Sequence, residues 1–423
     1  MRLLVVVSAV SFVVSFIAAE PAVAAGPTRA VIVVLRDDFD SDTTATEHSQ
    51  RFGASITHVY GAALRGYAAH VPERFIAALQ ADPRVAFVED DAIGYATDSV
   101  PTGVDRIEAD VSSQRSGDGV GAVSTGIAII DSGISAHPDL NIAGGYNCTG
   151  SNRKSWLDGT GHGTHVAGIA AARDNGTGLV GVAPGAPLWA VRVLASNGSG
   201  NLSWLVCGID WVANNAIAKG IKVANISLRF AGSDDGNCGN TNNDAAHRAI
   251  CGAVAKGVTF AVGAANDNAD FAANIPAAYD EVLTVTGIAD FDGRPGGLAA
   301  PTCLTDEDDT AAYFSNWTTP GSGDEFHTIA APGVCILSTS NVRGGFTTKS
   351  GTSMSSPHGA GTAALCISSG ACAGLAPAQI IQKLRADAQA KSITSLGTYG
   401  FAEDPSSIGA TRYYGYLIYA GGY

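Results

Sequence analysis

The chain has 423 residues, of which 46% are hydrophobic and 15% charged, and its formal net charge at pH 7 is −14. This length predicts more than one domain, and the apolar fraction is large enough for an extensive core, which excludes an intrinsically disordered chain. The acidic balance argues against nucleic acid or anionic membranes as partners, since both carry negative charge. The excess of carboxylates needs no role beyond keeping the protein in solution.

Residues 1–25 have the pattern of a signal peptide. Arg2 supplies a positive charge, 3–19 form an apolar run, and small residues at 22–26 offer a cleavage site after Ala24 or Ala25. The alternative is a membrane anchor, but the run is short for a spanning helix and Pro21 fits cleavage better. We therefore predict a secreted protein that has no membrane contact after cleavage.

The cysteine pattern agrees with export. All eight cysteines lie after residue 140, and an even count in an exported chain predicts disulfides. No two are spaced as C-x-x-C, which disfavours a zinc or thioredoxin-type motif. Eight cysteines allow 105 pairings, among which the sequence does not decide. Short intervening loops favour Cys238–Cys251 and Cys366–Cys372; Cys303–Cys335 would be a third pair, which leaves Cys148–Cys207.

Residues 28–96 contain no cysteine and have their own pattern of elements. Strand-like and helix-like segments follow in the order β-α-β-β-α-β at 29–35, 43–52, 56–60, 66–71, 72–80 and 85–88. This order predicts a small α+β domain of the split βαβ, ferredoxin-like type. The polar segment 95–103 is predicted to be an exposed linker.

Residues 97–423 form the predicted main domain. Its strand-like segments are apolar on both faces and alternate with helix-like ones, at 126–130, 166–173, 204–219, 222–228, 258–262 and 282–285. Such strands are typical of a parallel sheet covered by helices on both sides. We therefore expect a three-layer α/β fold with a mainly parallel central sheet, and a last strand at 411–419.

Three segments of this domain carry candidate chemistry. Asp131 ends an apolar strand, where sites form in open α/β sheets, although such an Asp is usually only a turn or cap residue. His162 stands between two glycines ahead of an apolar helix, and His165 three residues on raises the alternative of a metal pair. Ser353 lies near a helix start, where free N–H groups could face a developing oxyanion, but many such serines are caps.

Together the three segments resemble the subtilisin-type serine proteases. The chain order Asp, His, Ser is that of subtilisin. The resemblance implies that Ser353 attacks the scissile carbonyl, that His162 transfers the proton, and that Asp131 orients the imidazole. It also implies a parallel α/β catalytic domain at 97–423, protein or peptide substrates, and a monomer that needs no cofactor for its chemistry.

Other parts of the chain extend the resemblance. Segment 259–267 is similar to the family strand that ends in the oxyanion-hole residue, here Asn266. Residues 28–96 look like the family's inhibitor propeptide, which assists folding, blocks the cleft and is removed autocatalytically. Cysteines in the body suggest a branch nearer proteinase K than the cysteine-free subtilisins.

The chain departs from the family pattern in the predicted substrate-binding segments. Ser227-Leu228-Arg229 replaces the Ser-Leu-Gly of the peptide-pairing strand, and Gly263-Ala264-Ala265 precedes Asn266 where the family has Ala-Ala-Gly. The side chain of Arg229 and the methyl group of Ala265 therefore predict a restricted or shifted specificity. Arg229 either pairs with an acidic substrate side chain or points into solvent.

Structural calcium is typical of the family, but its ligand Asp is replaced here by Thr328. Asp290, Asp292 and the acidic run 306–309 offer calcium ligands elsewhere, and the alternative is a solvated loop. Two other functions stay open: a catalytically weak homologue that binds peptides, and an esterase. The esterase is disfavoured because Ser355 breaks the G-x-S-x-G pattern.

Overall fold

A computed structural model describes residues 27–91, 99–342, 344–407 and 411–423. The chain divides into two compact units, residues 1–94 and 95–423. The predicted signal peptide lies outside the described residues. Within the described ranges, none of the helices is both long and apolar enough to cross a bilayer.

The N-terminal unit is a four-stranded antiparallel sheet with two helices. Its elements are β1 Thr28–Leu35, α1 Ser41–Phe52, β2 Ser55–Tyr60, β3 Gly66–Pro72, α2 Ile76–Gln80 and β4 Val85–Asp90. The strand order is β2-β3-β1-β4, and every neighbouring pair is antiparallel. This confirms the predicted order of elements and the ferredoxin-like arrangement.

Local chemistry explains where these elements begin and end. The Asp40 side chain caps α1 by accepting a hydrogen bond from the Thr43 N–H at 2.9 Å, and Gly53 ends the helix with a left-handed φ of 64°. The second helix is shorter than predicted. Pro72 still belongs to β3, and a 3₁₀ turn at Glu73–Phe75 precedes α2.

The C-terminal unit contains the remaining elements. Its strands are β5 Gly126–Asp131, β6 Ile142–Asn147, β7 Leu188–Arg192, β8 Ile221–Ile226, β9 Phe230–Ala231, β10 Thr259–Gly263, β11 Asn274–Ile275, β12 Val282–Ala289, β13 Thr310–Ala311, β14 Thr328–Pro332, β15 Ile336–Thr339 and β16 Phe346–Lys349. Its helices are α3 Thr102–Arg106, α4 His162–Ala171, α5 Leu202–Lys219, α6 Ala245–Val254, α7 Thr352–Ser368 and α8 Pro377–Thr394.

The central sheet is mainly parallel, as predicted. Its order is β13-β12-β10-β8-β5-β7-β6, β14 also pairs with β12, and only β13 runs antiparallel to its neighbour. Alternate residues of β5 enter two separate cores. Ile127 and Ile129 pack into the core that contains α4, α7 and α8, whereas Ala128 and Ile130 pack into the core that contains α5 and α6. The fold is therefore three-layered.

Two sequence-based expectations were wrong in this unit. Part of the predicted linker is ordered: Ser99 bridges to Leu179, and Gly103 is buried within α3. The predicted last strand at 411–419 makes only isolated bridges, through Tyr413 and Leu417. Gly415 lies between these two residues with a φ of 83°, which interrupts the extended backbone that a continuous strand requires.

All four hypothesised disulfides are present. The pairs are Cys148–Cys207, Cys238–Cys251, Cys303–Cys335 and Cys366–Cys372, with Cα–Cα distances of 6.0, 5.9, 5.8 and 5.2 Å. These distances are within the usual range for a disulfide. The pairing is therefore confirmed, and it fits the predicted export to an oxidising compartment.

Candidate active site

Asp131 and His162 form a hydrogen-bonded pair at the carboxyl edge of the sheet. Asp131 is the last residue of β5 and is fully buried, and His162 is the first residue of α4. The His162 Nδ1 lies 2.8 and 2.9 Å from the two Asp131 carboxylate oxygens. Burial lowers the pKa of His162, but the charge of Asp131 and the hydrogen bond to it raise this pKa more, so the net shift is upward.

The glycine after His162 permits this close packing. A Cβ at Gly163 would lie 2.2 Å from the Gly133 carbonyl oxygen and 3.1 Å from an Asp131 carboxylate oxygen. A side chain there would push α4 away from the end of β5. Gly163 is therefore needed for the contact between the imidazole and the carboxylate.

Asp158 anchors the loop that leads into His162, a role that sequence analysis missed. One carboxylate oxygen accepts hydrogen bonds from the Ser132 hydroxyl at 2.7 Å and from the Gly161 N–H at 2.9 Å, and the other accepts the N–H and hydroxyl of Thr164. This carboxylate binds free N–H groups at the start of α4, where negative charge is stabilising. It ties the segment after Asp131 to the segment around His162.

His165 does not form a metal pair with His162. Its Nε2 lies 3.0 Å from the carbonyl oxygens of both Ile336 and Thr347, to which it donates. Burial lowers the pKa of His165 to about 3, which keeps the ring neutral. His165 therefore serves packing between α4 and the β15–β16 hairpin.

Ser353 lies in the first turn of α7, at the same edge of the sheet. Its hydroxyl donates a hydrogen bond to the Ser227 carbonyl oxygen at 3.4 Å, and among the described residues it makes none to His162. Ser227 directly follows β8, the parallel neighbour of β5, in which Ile226 pairs with Ile130. Ser353 is thus held beside the strand end that carries Asp131.

The Asn266 side chain is oriented by Thr352, the residue before Ser353. The Asn266 Oδ1 accepts hydrogen bonds from the Thr352 N–H at 2.8 Å and from the Thr352 hydroxyl at 3.0 Å. Because Oδ1 is the acceptor, Nδ2 is directed away from Thr352. A Cβ at Gly351 would lie 3.4 Å from this Nδ2. The amide N–H₂ therefore lies close to the start of α7 as a donor.

The predicted substrate-binding segments surround a cavity of about 60 Å³. Its lining residues are Ser227, Leu228, Arg229, Gly263, Ala265, Asn266, Thr352 and Ser353. The side chain of Ala264 lies in the core instead, and its N–H donates to the Val285 carbonyl oxygen of β12. Ala265 has a φ of 85°, a left-handed conformation that costs a non-glycine residue about 1–2 kcal/mol.

Arg229 neither points freely into solvent nor stands unpaired. Its Nη2 donates to the Asp267 carboxylate at 2.7 Å, and its Nη1 donates to the Asn274 side-chain oxygen at 3.3 Å. Both members of the ion pair are partly exposed, at 48% and 38% of their side-chain areas. Neither alternative stated for Arg229 included this partner, which lies 38 residues away in sequence.

The acidic run at 306–309 is not the solvated loop of the sequence alternative. Asp308 accepts the backbone N–H groups of Phe291 and Ala299, and Asp306 and Asp309 are also buried. Burial raises the pKa of Asp290 to about 8. Oxygens of Asp290, Asp292 and Asp308 lie within 4.8 Å of one another, so structural calcium at this loop stays a prediction.

The chain matches two known families. The subtilase family matches residues 124–413, and the peptidase inhibitor I9 family matches residues 24–96. Subtilisin E of Bacillus subtilis is 36% identical over 307 residues, which are 71% of this chain and 70% of that protein. The alkaline protease of Alkalihalobacillus alcalophilus is 36% identical over 290 residues, 68% of this chain and 65% of that protein.

Comparison with solved structures also finds a subtilisin-like protein. The crystal structure of a cold adapted subtilisin-like serine proteinase has a TM-score of 0.55 and 29% sequence identity to this chain. The match covers 77% of this chain and 99% of the chain in that crystal structure. The fold and the matches define a serine peptidase with an inhibitor domain before it. The chain belongs to the subtilase family, and its N-terminal unit is a propeptide domain of the I9 type.

Proposed function

We propose that this subtilase is a secreted endopeptidase, made as a precursor, with Asp131, His162 and Ser353 as its catalytic triad. The observation that carries the proposal is the pair of hydrogen bonds between His162 Nδ1 and Asp131, at the sheet edge where Ser353 lies in the first turn of α7. A serine hydroxyl is a weak nucleophile at neutral pH and needs such a base. No cofactor takes part in this chemistry.

The reaction follows from the roles of these groups. The Ser353 Oγ attacks the scissile carbonyl and passes its proton to His162 Nε2, while Asp131 stabilises the imidazolium. The Asn266 Nδ2 and the Ser353 backbone N–H donate to the oxyanion of the tetrahedral intermediate. His162 then protonates the leaving amine, and an ester to Ser353 remains. Water, deprotonated by His162, hydrolyses this ester and restores the hydroxyl.

The propeptide extends the proposal to regulation. The I9-type domain at residues 24–96 supports a zymogen in which the chain's own prosegment inhibits the enzyme until it is cut off. The signal-like segment at residues 1–25 and the four disulfides support secretion. Autocatalytic removal of the prosegment and a monomeric state complete the proposal.

Active-site labelling tests the proposed nucleophile. We expect a fluorophosphonate to form one covalent adduct, which peptide mass spectrometry assigns to Ser353, and to stop casein hydrolysis in proportion to labelling. Heat-denatured protein is the control and should not react, because activation requires the folded Asp131–His162 pair. Unlabelled protein that still hydrolyses casein, or an adduct on a different serine, would contradict the assignment.

Specificity follows from the small cavity beside Ser353. We infer that extended peptides pair with the backbone of 227–229 and place the side chain before the scissile bond, P1, in this cavity. The volume of about 60 Å³ and the methyl group of Ala265 favour a small side chain such as Ala. Because the Arg229 guanidinium is already paired with Asp267, its positive charge is not free to bind an acidic P1 side chain.

Removing Asp267 should therefore change substrate preference. We expect Asp267→Ala to raise kcat/KM for peptides with Glu at P1 by about 5–10-fold, since the freed Arg229 gains a partly exposed charge-assisted hydrogen bond. Peptides with Ala at P1 should change little. The double variant Arg229→Ala, Asp267→Ala is the control and should lose the gain. The same increase in the double variant would show that Arg229 is not responsible.

A further inference from the structure

A second cluster of polar side chains lies away from the proposed active site, at a cavity of about 480 Å³. Asp280 precedes β12, and Asp324 and His327 belong to the 3₁₀ turn before β14. All three line the cavity, and Asp234 adds a further carboxylate to its wall. None of the described lining residues is a Lys or Arg, so the local charge is negative.

His327 is the feature that distinguishes this cluster from an ordinary group of surface carboxylates. The residue is only 2% exposed, and neither of its ring nitrogens has a hydrogen-bond partner among the described residues. A buried polar group without a partner costs free energy, so native structures rarely contain one unless a ligand or water satisfies it. The ring is held edge-on against Phe271, with 5.9 Å between ring centroids.

The distances fit a shared ion better than direct contacts. The His327 Nε2 lies 3.8 Å from a carboxylate oxygen of Asp280 and 3.8 Å from one of Asp324. This is too long for a hydrogen bond. Two atoms bound to one tetrahedral zinc ion at its usual bond lengths are about 3.3–3.5 Å apart. The three ligand atoms all lie within 4.8 Å of one another, so a shift of the exposed Asp280 side chain toward Asp324 and His327 would close the site around an ion.

Asp324 is already oriented for this role. Its Oδ2 accepts hydrogen bonds from the hydroxyls of Thr318 at 3.0 Å and Ser322 at 3.3 Å. Its Oδ1 is the atom that lies near His327. Outer hydrogen bonds of this kind commonly fix a ligating carboxylate.

We propose that Asp280, Asp324 and His327 bind a divalent transition-metal ion of the zinc class, with the fourth position open to the cavity. One imidazole and two carboxylates suit zinc, whereas calcium selects oxygen ligands only. The site does not use Thr328, the residue at which the family's calcium ligand is replaced. A bound ion would cross-link the segment before β12 to the turn before β14 and so stabilise the unit.

Metal titration of the full-length chain tests the proposal. After EDTA treatment and transfer to chelator-free buffer, we expect calorimetry to show one zinc ion bound per chain with this site intact. Free zinc at about 100 times Kd should raise Tm by roughly 4 °C. Cobalt(II) should give the visible absorption of a tetrahedral site. Calcium binding as tightly as zinc at these residues, or no zinc binding, would overturn the proposal.

Variants test whether these three side chains are the ones that bind the ion. His327→Ala should weaken zinc binding at least 100-fold, and Thr318→Val, which removes an outer hydrogen bond, about 10-fold. Asp280→Asn is the variant expected to fold normally, because the Asp280 side chain is 61% exposed, and it should also weaken binding. Asp292→Asn, in the separate acidic loop, should leave zinc affinity unchanged. Unchanged affinity in both His327→Ala and Asp280→Asn would reject the site.

Discussion

The Ser353→Ala precursor is expected to remain full length and to hydrolyse no casein, whereas the wild-type chain loses its prosegment. Only the attacking Oγ is removed, and the methyl group that replaces it fits the same space in the first turn of α7. In subtilisin, a relative of this chain, loss of the nucleophile lowers kcat by about 10⁶-fold. We expect a loss of that order, measured by prosegment release on gels and by peptide hydrolysis.

Ser355→Ala provides the matched control for Ser353→Ala. Ser355 lies two residues further along α7, and its hydroxyl is buried without a hydrogen-bond partner among the described residues. Replacing it with Ala should therefore preserve prosegment release and peptide hydrolysis. If Ser353→Ala released its prosegment in cis at the wild-type rate, Ser353 would not be the nucleophile, and the proposed triad would fail.

Local sequence patterns were sufficient for the main elements of the site. The apolar run that ends at Asp131 predicts a buried strand, and β5 ends at this residue. The small residues around His162 predict a close approach, and Gly163 packs directly against Gly133 and Asp131. The apolar stretch after Ser353 predicts a helix start, and α7 begins at Thr352. These features depend on hydrophobic periodicity and glycine conformation, which neighbouring residues determine.

Contacts between distant segments could not be predicted in this way. Arg229 pairs with Asp267 because the loops that follow β8 and β10 meet in the folded chain. His327 lies beside Asp280 because the segments that precede β14 and β12 also meet. The orientation of Asn266 depends on Thr352, 86 residues later. The sequence identified Arg229 as unusual, but its charge alone did not reveal whether substrate, solvent or another side chain would pair with it.

The prediction of a last strand at 411–419 was wrong for a related reason. Its aromatic and β-branched residues favour a strand, but a strand also requires backbone partners along its length. Tyr413 pairs with Thr318 and Leu417 with Ala330, and the turn at Gly415 between them breaks the ladder. Tertiary packing of the C-terminal segment against β14 thus overrides its local preference.

Asn266→Ala should lower kcat for peptide hydrolysis by about 10²–10³-fold, with little change in KM, because loss of one oxyanion donor costs about 2.7–4 kcal/mol of barrier. That magnitude was established for the oxyanion-hole Asn of subtilisin, and Asn266 is its proposed counterpart here. The measurement is steady-state kinetics on one peptide, with Tm as a check on folding. Asn214→Ala, on the exposed side of α5, is the control and should retain wild-type kcat.

Variants of Thr352 distinguish a catalytic role for Asn266 from a structural one. Its N–H and hydroxyl both donate to the Asn266 Oδ1, so Thr352→Val removes one of the two bonds that aim the amide. We expect kcat to fall by about 5-fold, since one neutral hydrogen bond contributes roughly 1 kcal/mol, and Thr352→Ser should restore it. If Asn266→Ala instead raised KM and left kcat intact, its amide would bind the ground state and the transition state equally. A donor that binds both states equally would lower KM without accelerating the chemical step, so the split between kcat and KM decides what Asn266 does.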